Sequence, residues 1–214
     1  TLAIIGQSAE NSEVKHTKLE YGSGGKVNNY LFTGMFSIHN TRNINIQNLH
    51  ISRNKNFDDM MHVVYVDNLN IIDSHFLDSN ADAIDIDSSK NVKIENIYIK
   101  NAGNDCLDFM QTVASVKKSN FSSCLDKGIS VGERSNIVID DTKIENSKTA
   151  IVSKDDSSVS IEESSIISNE LGLSAFKKNW RYGNGGKIKL SNIKFHNNKT
   201  NISTDKYSSV KIYE

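Results

Sequence analysis

Apolar residues recur along the chain in three columns that keep step with one another. The first column runs Ile46, Ile71, Ile94, Val116, Ile139, Ile161 and Leu190. The second follows about five residues later in each repeat, at Ile51, Phe76, Ile99, Phe121, Ile144, Ile166 and Phe195. A third comes roughly seven or eight residues on (about ten at the first repeat), at Met61, Ile84, Leu107, Ile129, Ile151, Leu173 and Ile202. Within each stretch apolar and polar residues alternate, as in Asn91-Val92-Lys93-Ile94 and Ser157-Ser158-Val159-Ser160-Ile161. Period-two alternation marks a strand with one buried face. Polar turn residues separate the stretches, and sustained helical periodicity is almost absent.

Three short strands in a repeat of about 22 residues, copied about seven times, predict an all-β fold, a parallel β-helix solenoid of about seven to nine coils. Parallel crossovers favour the right hand. Coils stacked about 4.8 Å apart make an array roughly 35 Å long. An antiparallel sandwich is the alternative, but it does not explain three columns in register, and hairpin signals are scarce. The reading treats 1–214 as a single domain. It expects 178–186, Lys-Asn-Trp-Arg-Tyr-Gly-Asn-Gly-Gly, to be a loop inserted in one coil. Residues 1–30 fit the repeat poorly and are expected to form a cap or a partial coil, since solenoid ends need covering.

Composition narrows the function classes. A hydrophobic content of 37% suits a thin solenoid core better than a compact globule. Net charge is −1 and no dense basic run occurs, so nucleic acid is not an expected partner. No apolar stretch approaches the roughly 20 residues of a membrane helix. Thr1 in place of an initiator Met leads us to expect a fragment or a processed chain, with further domains in a longer protein. Two cysteines, Cys106 and Cys124, make no disulfide framework and are expected to be small packing residues.

The third column carries the chemistry. Ile84 and Ile86 pointing inward put Asp85 and Asp87 outward. The same parity makes one outward column of His62, Asp85, Asp108, Ser130, Val152 and Ser174, and a second of Val64, Asp87, Met110, Gly132, Lys154 and Phe176. Asp59, Asp82, Asp105 and Lys127 stand at the strand entrances, and Glu133, Asp155, Lys177 and Lys178 lie beyond the exits. Like charges stacked at about 5 Å repel, so folding alone does not call for such a ladder. An exposed solenoid face is polar in any case, and that plain reading holds for a single Asp better than for the whole set.

Two chemistries suit the cluster. Carboxylates can hold Ca²⁺ while a nearby Lys of depressed pKa removes the proton α to a uronate carboxylate, giving β-elimination. Alternatively, paired carboxylates cleave a glycosidic bond by hydrolysis. Asp82, Asp85, Asp105 and Asp108 are the candidate acid/base or Ca²⁺-binding carboxylates, Lys127 the candidate base, and His62 a further catalytic candidate. Asp59, Glu133, Lys154, Lys177, Trp180 and Arg181 are candidate substrate contacts, the aromatic ring through stacking on a sugar. His39, His50, His75 and His196 read as ordinary surface residues. Asn48, Asn96, Asn146 and Asn192 read as turn residues bonded to neighbouring turns.

Three motifs, Asn80-Ala81-Asp82, Gly103-Asn104-Asp105 and Asp126-Lys127-Gly128-Ile129-Ser130-Val131-Gly132, resemble the Asn-Thr-Asp, Gly-Asp-Asp and Gly-His-Gly-Ile-Ser-Ile-Gly motifs of polygalacturonases. Asn104 stands where that family has its general acid, Lys127 where it has a His, and the Arg-Ile-Lys motif has no clear copy. The resemblance therefore implies the fold and the place of the site rather than that family's own hydrolysis. Asp58-Asp59-Met60-Met61-His62-Val63-Val64-Tyr65, Asp126-Lys127-Gly128-Ile129-Ser130-Val131-Gly132-Glu133 and Ser153-Lys154-Asp155 resemble a family of bacterial right-handed β-helix proteins found with envelope or spore-coat domains. That resemblance implies a bacterial, extracellular or cell-envelope location. The site composition is similar to that of β-helical pectate lyases, which pair aspartate-bound Ca²⁺ with a Lys base. Together these readings point to an acidic polysaccharide as partner, cleaved by elimination or hydrolysis, or else to a non-catalytic binding or structural module.

Overall fold

The computed structural model describes residues 1–213. The chain winds into a right-handed parallel β-solenoid of about eight turns, ~23 residues per turn. Among the described residues one 3₁₀ turn, Gln7–Ala9, is the sole helical element. All three apolar columns are rows of directly paired residues. Ile46, Ile71, Ile94, Val116, Ile139, Ile161 and Leu190 stand in register on one sheet. Ile51 through Phe195 do so on the second, and Met61 through Ile202 on the third. Their side chains fill the solenoid, with Phe76, Ile84, Phe121 and Ile151 fully buried.

Corners are turned by residues that tolerate the left-handed region. Asn48, Asn96, Asn146 and Asn192 all have φ between 52° and 55°, a conformation an Asn side chain can support by local hydrogen bonding. Asn96 donates to Asp73 Oδ1 at 2.7 Å and Asn192 to Glu163 Oε1 at 2.7 Å, each one coil away. Buried hydroxyls do the same for the backbone: Ser74 Oγ accepts from the Leu49 amide at 3.1 Å and donates to the Ile72 carbonyl at 2.8 Å. Each coil thus satisfies polar groups of the next that would otherwise be buried unpaired.

Residues 1–20 form a coil in register: Leu2–Ile5 pairs with the strand start at Phe36, and Glu13–Glu20 pairs with Asn45 to Ser52. The repeat was hidden because an antiparallel hairpin, Gly25–Val27 with Tyr30–Phe32, lengthens the following turn. The cysteines are more than packing residues. Cys106 and Cys124 form a disulfide with Cα atoms 5.4 Å apart. Their separation of 18 residues is shorter than one coil, so they share no column, and the bond crosses a corner between successive coils. The insertion at 178–186 is a loop after Leu171–Phe176, tied down by Asp155 Oδ1, which accepts from the Lys178 and Asn179 amides at 2.7 and 2.8 Å.

Candidate active site: a carboxylate groove

The third sheet carries the site on its outward side. In the strand Ile84–Asp87, Ile84 and Ile86 are buried while Asp85 and Asp87 face out, half-buried. Pairing aligns Ser37, His62, Asp85, Asp108, Ser130, Val152 and Ser174 in one column. Val64, Asp87, Met110 and Gly132 line up beside it. Among the described residues no hydrogen bond reaches the carboxylates of Asp85, Asp87 or Asp108. Asp85 is pushed up to about 9 by burial and then by the charges of Asp87, Asp59, Asp108 and Asp82. Further along, the face sinks from solvent: Ser130 and Val152 of this column and Lys154 of its neighbour are all buried. Lys154 lies across Gly132, where an added Cβ would come 2.5 Å from Lys154 Cε. Its ammonium donates to Ser130 Oγ at 3.1 Å.

The acids at the strand entrances play a different part. Asp59, Asp82 and Asp105 are buried. Asp82 Oδ1 accepts from the Asp105 amide at 2.8 Å and from Asn104 Nδ2 at 2.7 Å, and Asp105 Oδ1 accepts from the Lys127 amide at 3.0 Å. Asp82 and Asp105 therefore each hold the entrance of the following coil. Burial raises Asp82 to about 6 against those hydrogen bonds, and raises Asp105 to about 7 against the pull of Lys127. The Lys127 ammonium sits 3.3 Å from Asp105 Oδ1 and is also paired with Asp126. Burial would lower the Lys127 pKa, but the bond to Asp126 and the charge of Asp105 outweigh it and raise the pKa. This opposes the base role expected from the sequence, which needs a depressed Lys.

At the lower end His62 has company that the sequence reading missed. His39, expected to be a plain surface residue, is partly buried with Nε2 3.3 Å from His62 Nδ1. Burial and then the charge of His62 lower it to about 4. Thr33 Oγ1 lies 2.9 Å from His62 Nδ1 and donates to Asp59 Oδ2 at 2.8 Å. His62 Nε2 is 3.9 Å from both Asp85 Oδ2 and Asp87 Oδ2. One ligand atom each from Asp59, His62 and Asp85 lies within 4.8 Å of the others. The Ca²⁺ set expected from the sequence, Asp82, Asp85, Asp105 and Asp108, does not converge in this way among the described residues.

Beyond the exits, Glu133 is raised by burial despite the neighbouring Lys154. Lys177 Nζ reaches the Gly183 carbonyl at 3.3 Å, inside the loop. Trp180 is 83% exposed, and Arg181 stacks on its ring at 5.7 Å. Two open hollows of about 420 and 550 Å³, lined around Tyr98 and Asn120 and around Leu125 and Asn169, share no residue with the groove.

The model of the family described as "Right handed beta helix region" matches residues 34–180 and 109–214. The chain belongs to that family. No curated protein matches this β-helix in sequence. Among solved structures it is similar to the polygalacturonase from Erwinia carotovora ssp. carotovora, with TM-score 0.64 and 12% identity over 90% of this chain and 60% of that one. It is also similar to the catalytic domain of GH87 alpha-1,3-glucanase in complex with nigerose, with TM-score 0.55, 11% identity, and 98% and 54% of the two chains covered. A third is pectate lyase Pel9A, with TM-score 0.51, 10% identity, and 92% and 66% covered. This β-helix thus spans roughly half to two thirds of those proteins, and at such identities the likeness is one of fold.

Proposed function

We propose that the groove cleaves an acidic polysaccharide by hydrolysis. The observation that carries this is the placement of Asp87 and Asp108 on adjoining strands. Asp108 pairs with Asp85 and Asp87 with Met110, so Asp87 and Asp108 are diagonal neighbours. The backbones of such neighbours lie about 7–8 Å apart, a spacing from which the side chains can set their carboxyl groups at the roughly 6.5–9.5 Å that admits a sugar and an attacking water between an acid and a base. One of the two protonates the leaving oxygen and the other activates water on the opposite side of the ring. Neither carboxylate accepts a hydrogen bond from another described residue, and His62 Nε2 lies 3.9 Å from Asp87 Oδ2. Hydrolysis is favoured over an elimination run by Lys127, because that ammonium is held charged between Asp105 and Asp126.

The upper end supports a charged sugar. Lys154 is buried and bonded to a neutral hydroxyl, with no carboxylate of the described residues in ion-pair range. An ammonium in that setting gains from a substrate anion. The structural neighbours, which act on polysaccharides, agree with a carbohydrate-active β-helix. The Cys106–Cys124 disulfide supports an extracellular or envelope location, where such bonds persist. Mass spectrometry of products from uronate-rich and neutral glycans tests the reading. Fragments one water lighter than hydrolysis products contradict hydrolysis, and no fragment from any glycan favours a binding module.

A further inference from the structure

We propose that Asp59, His62 and Asp85 form a binding site for one first-row divalent metal ion of the Zn²⁺ or Mn²⁺ type. The proposal stands on geometry at the lower end of the groove and does not depend on the hydrolytic reading. Ligand atoms of the three residues lie within 4.8 Å of one another. A metal held at about 2.0–2.2 Å by each of three donors needs donors roughly 3–4.4 Å apart, so small side-chain shifts close the site. An imidazole with two carboxylates selects a first-row ion, whereas Ca²⁺ and Mg²⁺ prefer oxygen alone. On this proposal both the ion and the residues that hold it differ from the Ca²⁺ set expected from the sequence.

A second observation, outside the three ligands, points the same way. Metal-binding imidazoles are ordinarily oriented by a partner on the other ring nitrogen, and metal-binding carboxylates by a hydrogen bond. Here His62 Nδ1 is engaged by Thr33 Oγ1 at 2.9 Å and His39 Nε2 at 3.3 Å. That leaves Nε2 turned toward Asp85 Oδ2, 3.9 Å away and beyond hydrogen-bond range. The same Thr33 hydroxyl donates to Asp59 Oδ2 at 2.8 Å, so one residue sets two ligands. Gly34 permits the approach: a Cβ there would come 2.8 Å from the His62 amide nitrogen and 3.0 Å from His62 Cβ. Phe32 packs its ring 5.4 Å from that of His39 and fixes the outer partner in turn. On the groove side Asp87 Oδ2 stands 3.9 Å from His62 Nε2. A hydroxyl-rich ligand could bind there.

The test uses the folded chain stripped with chelator and reloaded with Zn²⁺, Mn²⁺ or Ca²⁺, with binding read by equilibrium dialysis and metal analysis. The expected result is one equivalent of Zn²⁺ or Mn²⁺, bound more tightly than Ca²⁺ and raising the melting temperature. His62→Gln and Asp59→Asn should each abolish stoichiometric binding. Thr33→Val, which leaves every ligand in place, should weaken it by about 10–100-fold. Asp140→Asn, at the end of a distant strand, should leave it unchanged. Absence of stoichiometric binding, equal preference for Ca²⁺, or full binding by folded His62→Gln would overturn the assignment. None of these readouts involves glycan turnover, so failure here is separable from failure of the hydrolytic reading.

Discussion

Asp105 Oδ1 accepts two hydrogen bonds from one residue, the Lys127 amide at 3.0 Å and the Lys127 ammonium at 3.3 Å. Asp105 is 2% exposed, so the pair joins two coils around a buried charge. Removing one partner of a buried ion pair strands the other, at a cost of about 3–5 kcal/mol. Lys127→Ala is therefore expected to destabilise strongly in chemical denaturation. The double variant Lys127→Ala with Asp105→Asn should recover part of the loss. A Lys127→Ala protein of unchanged stability would show that the ammonium is not needed by the fold.

The buried Asp82 gives stability an unusual pH dependence. Its pKa is about 6 in the folded chain against a model-peptide value near 3.8. The folded state therefore binds more protons than the unfolded one between those values. Its contribution is full below the lower value and is lost as pH rises through the upper one. Thermal melts of chelator-treated protein should lose stability as pH rises from about 4 to about 6, and Asp82→Asn should make that loss smaller, leaving the part owed to Asp105 and Asp85.

The Cys106–Cys124 bond closes a loop of 18 residues around the entrance that holds Asp105. Closing a loop of this size restricts the unfolded chain by about 3 kcal/mol. Reduction, or the double Ser variant, should lower the unfolding free energy by about 3 kcal/mol and the denaturation midpoint with it. A midpoint that ignores reductant would contradict this role.

The fold was legible because an inward position repeats from coil to coil: once Ile84, Leu107 and Ile129 are placed in one column, the pairing of Asp85 with Asp108 follows. The outward column could be named from parity for the same reason. Depth could not. Ser130 and Val152 share that column yet are buried, and the Lys154 ammonium is bonded to Ser130. Parity also could not tell that Asp82 and Asp105 face backbone amides while Asp85 and Asp108 face the groove. The pairs His39–His62 and Cys106–Cys124 cross between columns, where spacing along one column carries no information.

The central claim is that Asp87 and Asp108 cleave a glycosidic bond by adding water. Product mass spectrometry on the unmodified protein, Asp87→Asn and Asp108→Asn, with uronate-rich polysaccharides, tests it most directly. Hydrolytic fragments are expected from the unmodified protein, with either variant slower by about 10²–10⁴-fold, the usual contribution of a general acid or base. Fragments formed at full rate by Asp108→Asn, or products lighter by one water, would contradict it.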